Sequence, residues 1–444
     1  MNENSNIKLF LKYLFPSMLS TVFVSVYVIT DTMMIGHGVG EDGLVALNII
    51  LPLFSLMYAI GYLFGVGGSV LMSVAKGQQD DKKADGIFTT SFIIVAAAAV
   101  MFTLLGSIFL EPLAVLLGAD NDSMKLTLEY GRIMMATAFI YVFAPFFQSF
   151  VRNDNAPGRA MAAAVTGSLL NVVLDYIFIF ILNMGMTGAI AATFIGNAVN
   201  VIITGSYFLT GKCTLRFKKK LYKTGYIGSI VKNGASSFLT EFCNAIVVFV
   251  YNHSILLNIG TDGIVIYSII SNTLIVVNAV MNGVAVAVQP LISYNVGKGC
   301  KDKVKTFKNI GLATDLIFSV CMMAFIMILT KMCIYAFVSP SAKILSEGIP
   351  AVRTYFSGIM FMCVNVYIGS YFQATVRPKQ SFLIGILRSL VFTVVLAFLM
   401  PALFGGNAVW IAAPTTEVLT FIVTVILLIR FDLRRSLSEN SGNI

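Results

Sequence analysis

The chain has 444 residues, of which 57% are apolar and only 11% are charged. Soluble domains carry about 25% charged residues, so this composition excludes an ordinary soluble protein. The net charge of +9 does not indicate a nucleic-acid partner, because the basic residues lie in short stretches between apolar segments and form no continuous patch.

Twelve apolar segments follow one another along the chain, and each is long enough to span a bilayer, which takes roughly 20 residues. We therefore expect an all-α, polytopic membrane protein with twelve transmembrane helices. The first segment contains Pro16 and lacks an A-x-A cleavage site, so we interpret it as a retained span and not as a signal peptide. The predicted spans are roughly 11–34, 45–74, 87–110, 131–151, 160–182, 188–210, 229–258, 264–292, 307–330, 352–376, 381–404 and 408–430.

The Lys and Arg residues between the spans are distributed unequally between the two sides of the membrane. With the N-terminus inside, 23 of them lie on the inner side and five on the outer side, and two more lie within spans. Positive charges accumulate in cytoplasmic loops, so both termini are expected in the cytoplasm. The predicted location is the cytoplasmic membrane of the cell, which the chain crosses many times.

The two halves of the chain repeat each other. A shift that moves position 1 onto position 221 aligns 1–84 with 221–304 without a gap, including the similar loops 40–43 and 260–263. A longer shift, which moves 147–148 onto 372–373, aligns two Phe-Gln pairs. Six helices in each half give both copies the same topology, related by a pseudo-two-fold axis along the membrane normal.

This repeat predicts three parts of the chain. The first lobe, residues 1–210, contains six helices and a cation or proton site. The interlobe linker, residues 211–226, is basic and polar, and the second lobe, residues 227–444, contains the other six helices. Two lobes around a central cleft form a transporter architecture.

Asp31 is the first candidate for a functional residue, because it lies in an otherwise apolar span. A carboxylate in hydrocarbon costs about 3 kcal/mol on insertion scales, so such a residue is functional by default. Tyr27 lies four residues earlier and shares its helix face. Asn171 and Asp175 repeat this spacing on the fifth helix.

Depth within the membrane indicates that these groups can meet. Thr193 and Asn197 line one face of the sixth helix. At about 1.5 Å per residue, Asp31 lies ~6 Å, Asp175 ~10 Å and Thr193 ~8 Å from the outer ends of their spans. Three helices thus present polar groups at similar depth in the outer half of the first lobe.

Two carboxylates in one dry site cannot both stay ionised at low cost. One proton between them would remove the cost, which suits a carrier that loads and releases a proton. The oxygens of Asp31, Asn171, Asp175 and Thr193 could instead ligate a dehydrated Na⁺. The alternative is a hydrogen-bonded polar cluster that only fixes helix packing.

Four further residues are candidate substrate or second-lobe contacts: Glu241, Asn197, Tyr130 and Gln148. Glu241, near the inner end of the seventh helix, could bind a cation in the second lobe or extend toward the membrane interface. Tyr130 could reach the cleft or belong to an interfacial aromatic belt.

Three charged residues in second-lobe spans have no evident partner spacing. Arg388 could pair with Asp315 or with Glu417, and we interpret it as one half of a structural ion pair.

The sequence contains no motif for an energy-supplying or catalytic reaction. The glycine run at 65–68 lacks the Lys-Ser/Thr of a phosphate-binding loop, and no Ser/His/Asp constellation or metal cluster is present. We expect a protein that is not an enzyme and has no cofactor, so that an ion gradient supplies the energy.

In these features the chain resembles the multidrug and toxic compound extrusion (MATE) transporters, over essentially its whole length. The resemblance is carried by 31–38, 152–154, 171–175, 185–193 and 406–414. In the DinF-like and MepA-like branch the cation site lies in the N-terminal lobe, and its tyrosine, acid, Asn, Asp and Thr match Tyr27, Asp31, Asn171, Asp175 and Thr193.

Another branch relies on acids in the seventh and tenth helices. Glu241 could fill the first place, but no Asp or Glu occurs from 354 to 376. We therefore expect no ion site in the second lobe.

The resemblance implies an antiporter that expels amphipathic, often cationic compounds against inward H⁺ or Na⁺ by rocking one lobe against the other. Its expected partners are small drug-like molecules and the lipid bilayer, and the expected state is a monomer. The alternative is a lipid-linked saccharide flippase of the same superfamily, which would place several basic residues in its cleft. The chain offers few beyond Arg388.

Overall fold

The computed structural model describes the backbone of residues 3–338 and 340–440 and the side chains of residues 5–338 and 340–431. Residues 1–2 of the predicted first lobe and residues 339 and 441–444 of the predicted second lobe lie outside the described backbone. Within them, all regular secondary structure is helical, as the composition predicts.

The first lobe is built from six spanning helices. They are α1 (Glu3–Gly38), α2 (Glu41–Gly77), α3 (Asp81–Ile108), α4 (Met124–Ala136 and Ala138–Asn153), α5 (Pro157–Asp175) and α6 (Gly185–Gly205). A short helix, Leu110–Leu116, connects α3 to α4, and a π-helical turn, Tyr176–Ile181, extends α5.

The second lobe repeats this order. Its helices are α7 (Ile227–Asn258), α8 (Thr261–Gly297), α9 (Lys301–Ile328), α10 (Ala342–Phe356 and Ile359–Ala374), α11 (Pro378–Ile386 and Phe392–Phe404) and α12 (Val409–Asn440). A short helix, Thr330–Phe337, precedes α10, and a π-helical turn, Leu387–Val391, lies within α11.

Eleven spans among the described residues are long and apolar enough to cross a membrane, and α4 makes twelve when its two parts count as one span. Those parts meet at an angle of 56° next to Thr137. The Thr137 hydroxyl donates to the Ile133 carbonyl, 2.7 Å away, and such back-bonding often bends a helix.

The structure corrects one part of the predicted repeat. Helices α3 and α9 begin at Asp81 and Lys301 and end at Ile108 and Ile328, so both of their ends keep the first predicted shift. Asn155 follows the second part of α4 and Val376 follows the second part of α10, and both have positive φ, so they are structurally equivalent. Their separation along the sequence differs from the first predicted shift by a single position. The longer shift is therefore wrong, and the two Phe-Gln pairs matched because phenylalanine is frequent in these helices.

The lobes contact each other through α1 with α8 and α2 with α7. A Cβ on Gly67 would lie 2.9 Å from the Gly234 nitrogen, and one on Gly77 would lie 2.8 Å from the Lys298 nitrogen. Glycine permits such close approach of helix backbones. All interlobe glycine contacts among the described residues lie in the half of the molecule that carries the interlobe linker, which we call the linker end.

The interlobe linker packs on the first lobe. Leu215 is buried, and the Arg216 backbone N–H donates to the Asp85 carboxylate at 2.9 Å. The Lys218 ammonium pairs with the same carboxylate at 3.1 Å.

Candidate functional site

Close backbone contact between α5 and α6 brings the first two site residues together. A Cβ on Gly167 would lie 2.6 Å from the Gly196 carbonyl oxygen, and one on Gly196 would lie 2.9 Å from the Asn171 Cβ. Only glycine allows this approach. As a result, the Asn171 amide donates to the Thr193 hydroxyl at 3.3 Å.

The two acids predicted to meet do lie together. Asp31 on α1 is 9% exposed and Asp175 at the end of α5 is fully buried. Their carboxyl groups are close enough to interact with each other. Asp175 directly precedes the π-helical turn Tyr176–Ile181, a type of helix irregularity that is frequent at functional sites.

Four buried oxygens at this site have no hydrogen-bond partner among the described residues: Asp31 Oδ1, Asn171 Oδ1 and both Asp175 oxygens. A buried polar atom without a partner is costly, and adjacent ionised carboxylates add repulsion. A shared proton would give the acid pair a hydrogen-bond donor. A cation could instead be bound by all four oxygens as its ligands. Carboxylate, amide and hydroxyl oxygens are hard donors that suit a hard cation.

A second layer of polar groups surrounds the acids. Tyr27 interacts with Tyr58 and Asn197. The Tyr58 hydroxyl donates to the Asn197 side-chain oxygen at 2.6 Å, and the Asn197 amide donates to the Thr193 carbonyl at 2.9 Å. Tyr130, only 3% exposed, interacts with Thr193 and Asp31. This burial contradicts an interfacial aromatic belt and places Tyr130 beside the acid site.

Sequence reasoning missed Tyr58. It lies on α2, whose apolar run gives no spacing relation to α5 or α6, and its contact depends on how α2 is rotated about its axis. The presence of a tyrosine in the middle of an apolar span was the available signal.

Glu241 and Gln148 lie elsewhere. Glu241 is partly buried on α7 and interacts with Tyr62 of α2, which also interacts with Arg152. Gln148 accepts a hydrogen bond from Arg152 at 3.3 Å.

The second lobe contains a separate polar cluster. Arg388 pairs with Glu417 at 2.7 Å, which confirms the predicted structural ion pair. The Asn365 amide, which spacing did not identify, donates to the other Glu417 oxygen at 2.8 Å, and Thr424 donates to Asn365 at 3.0 Å. Among the described residues, Glu417 thus has a cationic partner in Arg388 and a hydrogen-bond donor in Asn365, whereas the acid pair of the first lobe has neither.

Comparisons with known proteins agree on one family. A family model described as MatE matches residues 16–177 and 234–399. The multidrug export protein MepA of Staphylococcus aureus (strain MRSA252) is 26% identical over 406 residues, covering 90% of this chain and 89% of its own. MepA of Staphylococcus haemolyticus (strain JCSC1435) is 24% identical over 446 residues, covering 100% of this chain and 97% of its own.

A solved structure shares the fold. It is described as the outward-facing conformation of a multidrug resistance MATE family transporter of the MOP superfamily. It superposes with a TM-score of 0.91, is 24% identical, and the match covers 97% of each chain.

Proposed function

This chain belongs to the MatE family of transporters, and on that premise we propose that it is an H⁺- or Na⁺-coupled antiporter that exports amphipathic, often cationic organic compounds. The supporting observation is the first-lobe acid pair, of which three buried oxygens have no hydrogen-bond partner among the described residues, together with the unpartnered Asn171 Oδ1 beside them. The buried pair needs a proton or a cation, and none of the described residues supplies one. Such a pair is suited to take up an ion in each transport cycle.

The proposed cycle couples this ion to movement of the lobes. Binding of H⁺ or Na⁺ at Asp31 and Asp175 removes their repulsion and makes closure of the outer half less costly. The lobes then rock about their contacts, so that the ion leaves inward and the compound leaves outward in the next half-cycle. The glycine contacts at the linker end hold the lobes together on that side in the present conformation.

We further propose that the chain is a monomer in the cytoplasmic membrane with both termini inside. The excess of Lys and Arg at the linker end supports this orientation. One chain provides both lobes and the whole acid site, which supports a monomer.

The flippase alternative has less support. Its candidate cleft cation, Arg388, is neutralised by Glu417 at 2.7 Å. A charge already paired inside the protein is a weak attractor for a lipid-linked phosphate.

Substitution of the acids tests the proposal. We expect Asp31→Asn and Asp175→Asn each to abolish drug efflux in everted membrane vesicles, because an amide removes the charge that binds the ion while keeping the shape. Asp122→Asn, at an exposed loop position, serves as the matched control for expression and insertion. Asp315→Asn removes a buried second-lobe acid and is expected to leave efflux ion-dependent. Wild-type efflux in both first-lobe variants would refute the site.

The same vesicles identify the ion. Efflux is measured with a pH gradient imposed without Na⁺, and then with a Na⁺ gradient at equal pH. We expect one of the two gradients to drive transport. Equal efflux with no gradient at all would contradict ion coupling.

A further inference from the structure

The second lobe contains a cavity of about 660 Å³ at its linker end, away from the acid pair. It lies between the end of α8, the start of α9, the end of α10 and α12. Its charged lining is formed by Lys301, Arg377 and Arg430, and no acid occurs among the described residues that line it. The polar part of the lining also includes Asn295, Thr375 and Gln380.

The repeat shows what occupies the equivalent place in the first lobe. Asp81 is the first residue of α3 and Lys301 is the first residue of α9, so these two residues occupy equivalent positions in the repeat. Asn155 is equivalent to Val376, and the residues before them, Asp154 and Thr375, are therefore equivalent too. In the first lobe, the buried Asp154 accepts hydrogen bonds from the Thr214 backbone N–H at 2.9 Å and from the Thr214 hydroxyl. Thr214 belongs to the interlobe linker, so carboxylates hold the linker at this position.

A lysine extends the same contact. The Lys76 ammonium donates to the Thr214 carbonyl at 2.9 Å and pairs with Asp81 at 2.7 Å. At this first-lobe position the carboxylates thus bind the interlobe linker. In the second lobe the same two positions carry Lys301 and Thr375, which are not acids, and the cavity lies beside them. The basic side chains available to a ligand there are those of Arg377 and Arg430.

The two arginines are suited to a phosphate. The Arg377 guanidinium lies 5.2 Å from the centre of the Phe431 ring, which orients its planar face. Guanidinium groups bind phosphate oxygens through paired N–H donors. Val296, Val304 and Leu427 supply apolar lining next to them, as expected where a headgroup site continues into acyl chains.

We propose that this cavity binds the phosphate of an anionic ligand through Arg377 and Arg430. Basic pockets between transmembrane helices are a known type of phospholipid headgroup site. An anionic membrane lipid and free phosphate present the same chemistry, and the test below distinguishes these sources. The acids Asp31 and Asp175 are not among the residues that line this cavity.

The test uses the purified full-length protein and its thermal unfolding. Phosphatidylglycerol is compared with phosphatidylcholine, and inorganic phosphate is tested alone. We expect phosphatidylglycerol to raise the midpoint of unfolding, and Arg377→Gln and Arg430→Gln each to weaken its apparent affinity about tenfold through loss of a charged hydrogen bond. Arg216→Gln, an exposed arginine of the interlobe linker, is the charge-matched control and should bind like the wild type.

The outcomes separate the two sources. Stabilisation by phosphatidylglycerol but not by inorganic phosphate, lost in the two cavity variants, identifies a lipid. Equal stabilisation by inorganic phosphate, lost in the same variants, identifies a soluble phosphate. Equal responses of the cavity variants and Arg216→Gln to both ligands would overturn the proposal, and so would the absence of any response in the wild type.

Discussion

Thr193 connects several groups of the acid site through one hydroxyl. It accepts a hydrogen bond from Asn171 at 3.3 Å and is within reach of Tyr130. It therefore orients the Asn171 amide, whose buried oxygen has no hydrogen-bond partner among the described residues. In the proposed mechanism Thr193 is a positioning residue for Asn171 and a candidate cation ligand.

Replacing this hydroxyl tests that role. Thr193→Val keeps the volume and removes one hydrogen bond, worth about 1 kcal/mol, so we expect about fivefold weaker ion dependence of drug efflux. Thr32→Val is the matched control, because Thr32 is exposed and its hydroxyl bonds only to the Val28 carbonyl of its own helix. The measured quantity is the ion concentration that gives half-maximal efflux. An equal shift in both variants would contradict the assignment.

Spacing and depth along the sequence predicted that Asp31, Asn171, Asp175 and Thr193 would meet, because residues four apart share a helix face and the rise per residue along a helix is constant. They did not predict Tyr58 or the position of Tyr130. Those contacts depend on helix rotation and on the bend of α4, which no local pattern encodes.

The helices that join the lobes do so by close backbone contact. A Cβ on Gly234 would lie 2.7 Å from the carbonyl carbon of Leu63 on α2, so any side chain there requires a backbone shift. Gly228, on the same helix, has nothing within 4 Å of its added Cβ. These two glycines separate the effect of interlobe packing from the effect of helix propensity.

We expect Gly234→Ala to separate the lobes at the linker end, whereas Gly228→Ala should leave them in contact. Both changes favour helix, by up to about 1 kcal/mol. The measurement is the distance between spin labels at Gln78 and Lys298, two exposed positions beside the contact. A longer distance in Gly234→Ala alone is the expected result, and identical distances in both variants would contradict the packing argument.

The interlobe linker offers a chemical reporter of its docking. Burial raises the pKa of the Cys213 thiol to about 12, and Asp154 adds to the rise. The thiol therefore stays protonated at neutral pH and becomes reactive only as pH approaches that value. With one cysteine retained at a time, we expect Cys213 to react with a maleimide at least about tenfold more slowly than the half-buried Cys300.

Asp154→Asn checks the cause of this low reactivity. It removes the charge that raises the pKa of the thiol and replaces one of the two carboxylate oxygens that hold Thr214 by an NH₂ group, which cannot accept a hydrogen bond. Cys213 should then react faster at the same pH. Unchanged reactivity would mean that Asp154 does not hold the linker.

The two lobes have the same helix order but different chemistry. The residue of α7 that corresponds to Asp31 is Tyr251, which is buried and stacks on Tyr267 at 5.2 Å between ring centres. Thr193 corresponds to Ala413. At these two positions the second lobe therefore carries an aromatic and an apolar side chain instead of an acid and a hydroxyl, which supports ion coupling in one lobe.

Hydropathy predicted the fold class and the number of spans, because membrane burial imposes long apolar segments, and the ungapped alignment of 1–84 with 221–304 predicted the repeat. The precise repeat offset in α10 was wrong, because sequence identity among frequent phenylalanines is a weaker guide than positive φ at Asn155 and Val376. The cavity at the linker end of the second lobe was also beyond prediction, since it depends on how α12 packs against α9 and α10.

If the acid pair exchanges its ion for the drug, binding of the drug must release that ion from the protein. Purified protein is mixed with a cationic drug while released H⁺ is followed with a pH indicator and released Na⁺ with a sodium-selective electrode. We predict that the wild type releases one of these ions, and that Asp31→Asn/Asp175→Asn still binds the drug but releases neither. Undiminished ion release by the double variant would contradict the account.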